Sequence, residues 1–339
     1  MKLKRIGIDL AKNVFQVHGV DEHEQAVIRK AFSRTQLRHF LVNVEPTLIG
    51  IEACGSSHQW ARELTAMGHT VKLIPPQFVK PYVKRHKNDA VDAEAICEAV
   101  SRPTMRFVTI KSIDQQVVQS IHRVRSRLVK NRTALVNEVR SLLAEFGVVI
   151  QSLGVAAVRR ALPRLLEDAE NDLSPLLRDL LGELYRELIE LDERLAMLMT
   201  RVINHAKTDE RVARLQQVPG IGPVTASAVV AAIGDAKQFK TARDFAAWLG
   251  IVPNQHSSGG KQRMGGISKR GDAYLRTLII HGARSCVNVV KNKTDRRSEW
   301  IKAVIKRRNK NIATVALANK QARIIWAMLT REVGYRAAV

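Results

Sequence analysis

The first 110 residues alternate short apolar runs with segments of helical periodicity. Three β-prone runs come first, and two further strand-like runs follow between helical segments. The strand-like runs are RIGIDLA, NVFQVHGV, QAVIRKAF, TLIGIEA and TVKLIPP, and the last helical segment is DAVDAEAICEAV. Alternating apolar residues predict strands, whereas a 3/4 spacing predicts helices. This order predicts an α/β domain over residues 1–110, with a mixed sheet and helices on its faces.

Residues 111–206 show helical periodicity instead. Leucines repeat at intervals of 4, 3, 4, 3, 4 and 3 residues at Leu177, Leu181, Leu184, Leu188, Leu191, Leu195 and Leu198. Three heptads with a complete apolar seam are typical of a coiled coil. We therefore expect this segment to join subunits into a homo-oligomer, a dimer or a tetramer. The alternative is two long helices that pack only on each other within one chain.

Residues 207–339 predict a mostly helical C-terminal domain. The sequence PGIG at 219–222 places a glycine turn between two helical patterns, as in a helix-hairpin-helix, whose amides hold a DNA phosphate without reading sequence. A glycine-rich stretch at 259–271 predicts a mobile cationic loop that carries Ser257 and Ser258. The residues expected to contact nucleic acid are Gly220, Gly222, Lys261, Arg263, Lys269, Arg270 and Arg276.

Charge strengthens this interpretation because it is unevenly distributed. The formal net charge is +23, and the pI is about 10.4. Residues 251–339 hold 19 Lys and Arg against 4 Asp and Glu, whereas residues 161–200 hold 4 against 10. A polyanion, DNA or RNA, is the expected partner of the basic end of the chain. The basic stretch at 302–311 predicts a helix or linker that contacts a nucleic-acid backbone.

Cysteine use and hydropathy narrow the class of protein. The three cysteines, Cys54, Cys97 and Cys286, have neither disulfide-scaffold nor zinc-ligand spacing. Reduced thiols, the lack of an apolar run of about 18 residues and the lack of a signal-peptide core predict a cytoplasmic protein without a membrane partner. Aromatic residues make up 5% of the chain, so base stacking is not the expected main binding mode.

Four acidic residues in the first 92 positions predict a metal centre. Asp9 and Glu52 each end an apolar strand-like run, and Asp89 and Asp92 lie three residues apart on one helical face. A cage of carboxylate oxygens suits Mg²⁺ or Mn²⁺ far better than zinc. Two such ions, roughly 3.5–4 Å apart, catalyse displacement at phosphodiesters. Ordinary solvent-exposed acids are the alternative for any one of the four.

With these motifs in place, the chain resembles a DEDD-type insertion-sequence transposase. The resemblance rests on Asp9, Glu52, the Asp89-x-x-Asp92 pair, PGIGPVTA and SSGGKQRMGGISKRGDAYLR, and it covers essentially the whole chain. It implies a ribonuclease-H-like (RuvC-like) catalytic domain at 1–110, which the predicted order of strands and helices also matches. It implies a helical coiled-coil segment at 111–206, and a C-terminal transposase domain at 207–339 with a serine.

The resemblance also implies a reaction and its partners. A transposase of a bacterial insertion sequence would recombine element ends and target DNA, guided by a structured non-coding RNA. Asp9, Glu52, Asp89 and Asp92 would bind magnesium, for which manganese can substitute, and Ser258 would attack DNA to form a 5′-phosphoserine bond. Localisation at the nucleoid would follow. Ser257 and Ser268 stay open as alternative nucleophiles. A composite site, formed by the acids of one subunit and the serine of another, is a hypothesis from the residues alone.

Three other interpretations stay open from the residues. A metal-dependent DNA nuclease or junction resolvase would use the same acids with water as the nucleophile. A non-enzymatic nucleic-acid-binding scaffold explains the net charge but not the four acids together. An actin-like or sugar-kinase-like ATPase fits IGIDLAK, but it requires further glycine-rich phosphate loops that residues 40–110 lack.

Overall fold

The structure, a computed structural model of the 339-residue chain, describes residues 2–84, 88–259 and 261–336. The chain divides into two compact units, Met1–Ile113 and Asp114–Val339. Within the described residues, no helix is both long enough and apolar enough to cross a membrane. The predicted division of the second unit into a helical segment and a separate C-terminal domain stays a prediction.

The described residues of the first unit form one mixed sheet and four α-helices. Its elements are β1 (Arg5–Leu10), β2 (Val14–Val20), β3 (Ala26–Ser33), α1 (Arg34–Val42), β4 (Leu48–Glu52), α2 (Ser57–Ala66), β5 (Thr70–Ile74), α3 (Pro76–Val79) and α4 (Asp89–Val100). The strand order is β3-β2-β1-β4-β5. The first three strands are antiparallel, and β1, β4 and β5 are parallel. The predicted strands and helices of this part of the chain are therefore confirmed.

The two faces of the sheet differ in the size of their side chains. On one face, Ile8 and Ile51 are fully buried beneath α1 and α2. Phe15 and Trp60 complete this core, with ring centroids 5.0 Å apart in an edge-to-face arrangement. The other face carries Gly7 on β1 instead of a large side chain, and α4 packs against it. This asymmetry fixes how closely α4 approaches the sheet.

The second unit is mostly helical. Its elements are α5 (Ile113–Glu145), α6 (Val155–Glu167), α7 (Pro175–Thr208), α8 (Glu210–Leu215), α9 (Pro223–Ile233), α10 (Ala242–Trp248), β6 (Pro253–Ser258), β7 (Lys261–Ile267), α11 (Ala273–Asn288), α12 (Arg296–Arg307) and α13 (Lys310–Arg331). The basic stretch at 302–311 is thus divided between the end of α12 and the start of α13. Helices α8 to α13 share one apolar core.

The leucine seam of α7 is buried inside the chain. Its leucines pack against α5 and α6, with Leu128, Val139 and Leu162 among the partners. Leu181 and Leu188 are fully buried, and Leu184 is half-buried. This is the alternative arrangement, in which long helices of one chain pack on each other. It removes the reason for expecting self-association through the seam, and the oligomeric state stays a prediction.

The glycine-rich segment corrects one expectation. The stretch at 259–271 was expected to form a loop that carries Ser257 and Ser258, but residues 253–267 form an antiparallel hairpin in which Ser258 pairs with Lys261. Gly259 has φ +54°, the left-handed backbone that a two-residue hairpin connection needs. Gly260, the second residue of the connection, lies outside the described residues. Two adjacent glycines between polar strands are a hairpin signal, and the high glycine content obscured it.

Candidate active site

Three of the four predicted acids come together at the end of β1. Asp9 lies near the end of that strand, and Asp89 and Asp92 lie in the first turn of α4. One carboxylate oxygen from each lies within 4.8 Å of the others. Asp89 is exposed, whereas Asp9 and Asp92 are half-buried, so the cluster opens to solvent on one side.

Two glycines explain how the helix reaches the strand. A methyl group added at Gly7 would stand 2.2 Å from the carbonyl oxygen of Ala93 and 2.4 Å from the amide nitrogen of Cys97. At Gly50 on β4, it would stand 2.8 Å from the Cβ of Val100. The backbone of α4 therefore lies almost directly on β1 and β4. Because side chains two residues apart on a strand share a face, Asp9 projects toward α4, as Gly7 does.

Glu52 occupies the corresponding position on the next strand. β1 and β4 are parallel, with Ile8 opposite Ile51, so Glu52 follows at the same edge of the sheet as Asp9. It shares a face with Gly50, two residues earlier. The group of three carboxylates within 4.8 Å does not include Glu52. The structure thus brings together Asp9, Asp89 and Asp92 and places Glu52 at the end of the adjacent strand.

The start of α4 is favourable for acidic residues. Asn88 caps the helix, with its side-chain oxygen accepting a hydrogen bond from the amide of Val91 at 3.0 Å. Partial positive charge at a helix N-terminus stabilises nearby carboxylates, which applies to Asp89 and Asp92. Three carboxylates at this separation still repel one another. The set consists of oxygen donors alone, which fits a hard divalent cation such as Mg²⁺ or Mn²⁺.

Ser258 lies at the tip of the hairpin in the second unit. It ends β6 and is exposed, and its hydroxyl has no hydrogen-bond partner in the described part of the chain. The side-chain oxygen of Ser257, by contrast, accepts a hydrogen bond from the side-chain amide Nε2 of Gln255 at 3.0 Å. Adjacent strand residues point to opposite faces, so the two serines are not interchangeable.

One face of the hairpin collects four chemically distinctive side chains. Ser258 is opposite Lys261, and His256 is opposite Arg263. Residues directly opposite each other, and residues two apart, share a face. His256, Ser258, Lys261 and Arg263 therefore lie on one exposed face. His256 was not among the residues predicted from the sequence. In a strand, its spacing of two residues from Ser258 places both side chains on the same face.

Ser268, the third candidate nucleophile, is in a different environment. Its backbone amide donates to the carbonyl of Val252 at 2.8 Å, and its hydroxyl is buried. That hydroxyl has no hydrogen-bond partner among the residues described. A buried hydroxyl is poorly placed to meet a DNA phosphate, so Ser268 is less accessible to DNA than Ser257 and Ser258, which are both exposed.

The two glycines of the predicted helix-hairpin-helix turn differ. Gly220 has φ +87° and packs on α11, since a methyl group there would stand 2.5 Å from the carbonyl oxygen of Gly282. Gln321 fixes the same turn by donating to the carbonyl of Pro219 at 2.7 Å. Gly222 is exposed and begins α9 without a side-chain cap. Gly222 is thus the better placed of the two for phosphate contact, and Gly220 serves close packing.

The basic residues predicted to contact nucleic acid also differ in whether they are exposed or are used in packing. Lys261 and Arg263 are exposed on the hairpin. Lys269 and Arg270 are also exposed, but the backbone of Arg270 packs on Gly250, where a methyl group would stand 2.0 Å from its carbonyl oxygen. Arg276 is half-buried and donates to the carbonyl of Leu249 at 3.3 Å. Its guanidinium therefore already has a role inside the fold.

The first unit defines a class of protein. Its mixed sheet carries acids at the ends of adjacent strands and at the start of a helix packed on those strands. This arrangement is consistent with a ribonuclease-H-like domain of the DEDD type, a class that acts on phosphodiesters with divalent metal.

Sequence comparison agrees with this class. The sequence profile of the DEDD transposases of the IS110 group matches residues 6–147, which include all four predicted acids. The profile of the transposase IS116/IS110/IS902 family matches residues 212–299, which include the hairpin. Both predicted catalytic regions therefore lie inside transposase profiles.

Three relatives extend the match along the chain. A probable family 20 transposase of Pseudomonas aeruginosa is 58% identical over 99% of both chains. The transposase for insertion sequence element IS1111A of Coxiella burnetii is 46% identical over 98% of this chain and 92% of its own. A pilin gene-inverting protein of Moraxella bovis is 23% identical over 81% of this chain and 80% of its own. The chain belongs to the IS116/IS110/IS902 family of insertion-sequence transposases, enzymes that cut and rejoin DNA.

Proposed function

We propose that this transposase cuts and rejoins DNA through a covalent bond to Ser258, assisted by divalent metal at the acidic cluster. The observation that carries the proposal is the convergence of Asp9, Asp89 and Asp92 within 4.8 Å of one another. The exposed hairpin face that presents Ser258 with Lys261 and Arg263 supports the second half.

Asp9, Asp89 and Asp92 would hold magnesium or manganese, with Glu52 at the adjacent strand end as a further ligand. When bound, such a metal polarises a phosphodiester and stabilises the charge that develops on it. The half-buried positions of Asp9 and Asp92 hold their carboxylates in fixed directions, while exposed Asp89 leaves one side open to DNA. The uncapped start of α9 at Gly222 is a further place for a DNA phosphate.

The serine step balances as a phosphodiester exchange. The Ser258 oxygen attacks phosphorus and forms a new P–O bond, while the bond from phosphorus to the 3′-oxygen breaks. The serine proton passes to a base, and the departing 3′-oxygen is protonated. Attack by the 3′-hydroxyl of a second strand reverses the exchange, joins that strand to the held 5′-phosphate and frees the serine. Lys261 and Arg263 place positive charge beside the phosphate, and His256 is the candidate base on the same face.

A structured RNA transcribed from the element would select the DNA, and the protein would act as a dimer or tetramer. The strongly basic C-terminal part supports a large nucleic-acid partner but does not distinguish RNA from DNA. In a composite site, the acids of one subunit would lie beside the serine of another. The acidic cluster would then gain a nucleophile, and the serine would gain a metal. The gene-inverting relative is consistent with the cutting and rejoining of DNA strands.

The test is a search for the covalent adduct. Purified protein is incubated with element-end DNA, the non-coding RNA and Mg²⁺, and a protein–DNA adduct is sought on a denaturing gel and mapped by mass spectrometry. We expect the adduct at Ser258 and its loss in Ser258→Ala. Asp92→Asn should reduce adduct formation by at least about 100-fold, because the metal contribution is lost.

Two matched variants make the result specific. Ser257→Ala removes the neighbouring hydroxyl from the opposite face of the hairpin and should leave adduct formation intact. Glu94→Gln removes an acid from α4 that pairs with Lys84 at 3.4 Å and lies outside the acidic cluster. It should also retain activity. Nicked DNA without an adduct, dependent on Asp92 and indifferent to Ser258, would instead identify a nuclease that uses water.

A further inference from the structure

A cavity of about 340 Å³ opens between α5, α9 and α11 in the second unit. One wall is cationic, with Arg123, Arg127 and Lys130 of α5. Opposite this wall, α9 contributes only the small side chains of Ala228 and Ala232, which form the apolar floor of the cavity. Tyr274 of α11 closes one end. The cavity thus combines positive charge, an apolar floor and one aromatic ring.

The cations of this wall are available to a ligand. Arg123, Arg127 and Lys130 lie at positions i, i+4 and i+7, so they form one row along the helix. All three are exposed, and none forms an ion pair with an acid in the described part of the chain. A second cavity, of about 460 Å³, differs because its Arg132 and Arg159 lie 2.7 and 3.6 Å from Asp192. Two of the three arginines that line it therefore already share one carboxylate.

The aromatic end of the cavity is held rigidly. The hydroxyl of Tyr274 lies 3.0 Å from Nδ1 of His122, and Nε2 of His122 lies 3.1 Å from the hydroxyl of Ser227. That hydroxyl lies 3.3 Å from His205. Burial lowers the pKa of His122 to about 4, so its ring is neutral at pH 7. Burial also raises the pKa of Tyr274, which therefore keeps its proton. The ring position is fixed before any ligand arrives.

We propose that this cavity binds one unpaired nucleotide of a nucleic-acid strand. Its volume is near the lower limit of the roughly 300–1,000 Å³ typical of small-ligand sites, which suits one nucleotide and excludes a duplex. The base lies between the Tyr274 ring and the alanine floor, and the adjoining phosphates lie on Arg127 and Lys130. The amides of Gln119 and Asn131, which also line the cavity, offer donors and acceptors to a base edge.

One acidic group also borders the cavity. The carboxylate of Asp272 accepts hydrogen bonds from the amides of Tyr274 and Leu275, at 2.8 and 3.1 Å. The N-terminus of α11 thus offsets the negative charge of Asp272. The phosphates of the ligand would lie on the α5 side of the cavity, away from this carboxylate. The inference rests on the nucleic-acid partner of the proposed function but does not require Ser258 to be the nucleophile. The adduct assay and a binding assay therefore fail independently.

The test measures binding of fluorescent single-stranded RNA, single-stranded DNA and duplex DNA by anisotropy over a range of salt. Ala232→Leu fills the cavity without changing charge, and we expect about tenfold weaker single-strand binding with duplex binding unchanged. Arg127→Gln with Lys130→Gln should reduce the single-strand salt slope by about 1.4, since each phosphate contact contributes about 0.7. A response confined to RNA or to DNA identifies which strand supplies the nucleotide.

Matched controls use other surfaces of the same unit. Ala134→Leu adds the same volume at an exposed position of α5 outside the cavity, and Arg194→Gln with Arg201→Gln removes the same charge from α7. Thermal melts confirm that each variant is folded. Wild-type single-strand affinity and salt slope in the charge variant would overturn the proposal even if Ala232→Leu misfolded. Adduct formation in the same preparations reports separately on the serine chemistry.

Discussion

At the scale of residues, the hairpin supplies Ser258 with a candidate base two positions earlier. His256 and Ser258 are separated by about 6.6 Å along a strand, at about 3.3 Å per residue, and both point to one face. Lys261 and Arg263 lie opposite them on the partner strand. A hydroxyl, an imidazole and two cations on one exposed face are the groups that the proposed phosphoryl transfer to Ser258 requires.

His256→Gln tests this arrangement. We expect adduct formation to slow by about 100-fold, because a positioned general base contributes at least that factor. Single-turnover rates of adduct formation measure this effect.

His281→Gln is the matched control because it removes an exposed histidine from α11, away from the hairpin strands. Its rate should equal that of the wild type. If His256→Gln kept the wild-type rate, another group would have to accept the serine proton.

At the scale of elements, the acidic cluster depends on how closely α4 lies on the sheet. Arg5, at the start of β1, donates to the carbonyl of Cys97 at 2.9 Å. Gly7 meets Ala93 and Cys97, and Asp9 meets the first turn of the helix. Strand and helix thus run in opposite directions with a glycine at the point of contact. Substitution at that glycine should disturb the proposed metal centre without changing a carboxylate.

Gly7→Ala should therefore reduce both stability and activity. The added methyl group overlaps backbone atoms at 2.2 and 2.4 Å, so α4 must shift, at a cost of about 1–3 kcal/mol of unfolding free energy. Manganese binding by calorimetry and chemical unfolding measure the two effects. Gly19→Ala on β2 is the control, because its methyl group meets Ile28 at an ordinary 3.4 Å. Equal behaviour of the two variants would contradict the packing argument.

The contact between α5, α9 and α11 predicts a dependence of stability on pH. Burial holds the pKa of His122 at about 4 in the folded protein, with Arg125 and His205 acting in the same direction. A histidine in the unfolded chain has a pKa of about 6.5, so the unfolded state binds the proton more tightly. The stability that neutral His122 contributes is complete above pH 6.5 and is lost as the pH falls toward 4.

Unfolding free energies of the wild type and His122→Asn at pH 7 and pH 5 measure this effect. We expect the wild type to lose about 2 kcal/mol more than the variant over this interval, after titrations common to both cancel. Both proteins contain the same carboxylates, so the difference isolates His122. The same loss in both proteins would show that this histidine is not protonated on unfolding.

At the scale of the whole molecule, the acids and the serine belong to different compact units. Asp9, Asp89 and Asp92 lie in Met1–Ile113, whereas Ser258 lies in Asp114–Val339. The leucine seam is buried within its own chain, so it gives no evidence for a subunit interface. Whether one site combines acids and serine from two subunits is a question for complementation.

Mixing Asp92→Asn with Ser258→Ala answers it. If sites are shared between the subunits of a dimer and subunits exchange freely, about one quarter of wild-type sites contain intact acids and an intact serine. We expect adduct formation at about that level, although each variant alone is inactive. A mixture of Glu94→Gln with wild type, in which every site should be active, gives the level of adduct formation that counts as full activity. A mixture as inactive as its components, after exchange is verified, would place acids and serine of each site in one subunit.

The sequence by itself determined the local features of this protein. Apolar periodicity of two and of 3.6 residues marked the strands and helices of the first unit, because these patterns follow from backbone geometry within a few residues. The identities of Asp9, Glu52, Asp89 and Asp92 marked a metal chemistry, and the segregation of charge marked a nucleic-acid partner. Each of these properties is carried by short stretches of chain.

Only the tertiary structure decided which residues meet. Gly7 has no side chain, so α4 can bring Asp89 and Asp92 to Asp9 across more than 75 residues of sequence. The leucine seam packs against helices of its own chain. The sequence could not show this, because periodicity shows that a helix face is apolar but not what covers it. Ala228 and Ala232 of α9 left a cavity opposite the basic row of α5. These outcomes depend on packing between distant segments, which local patterns do not specify.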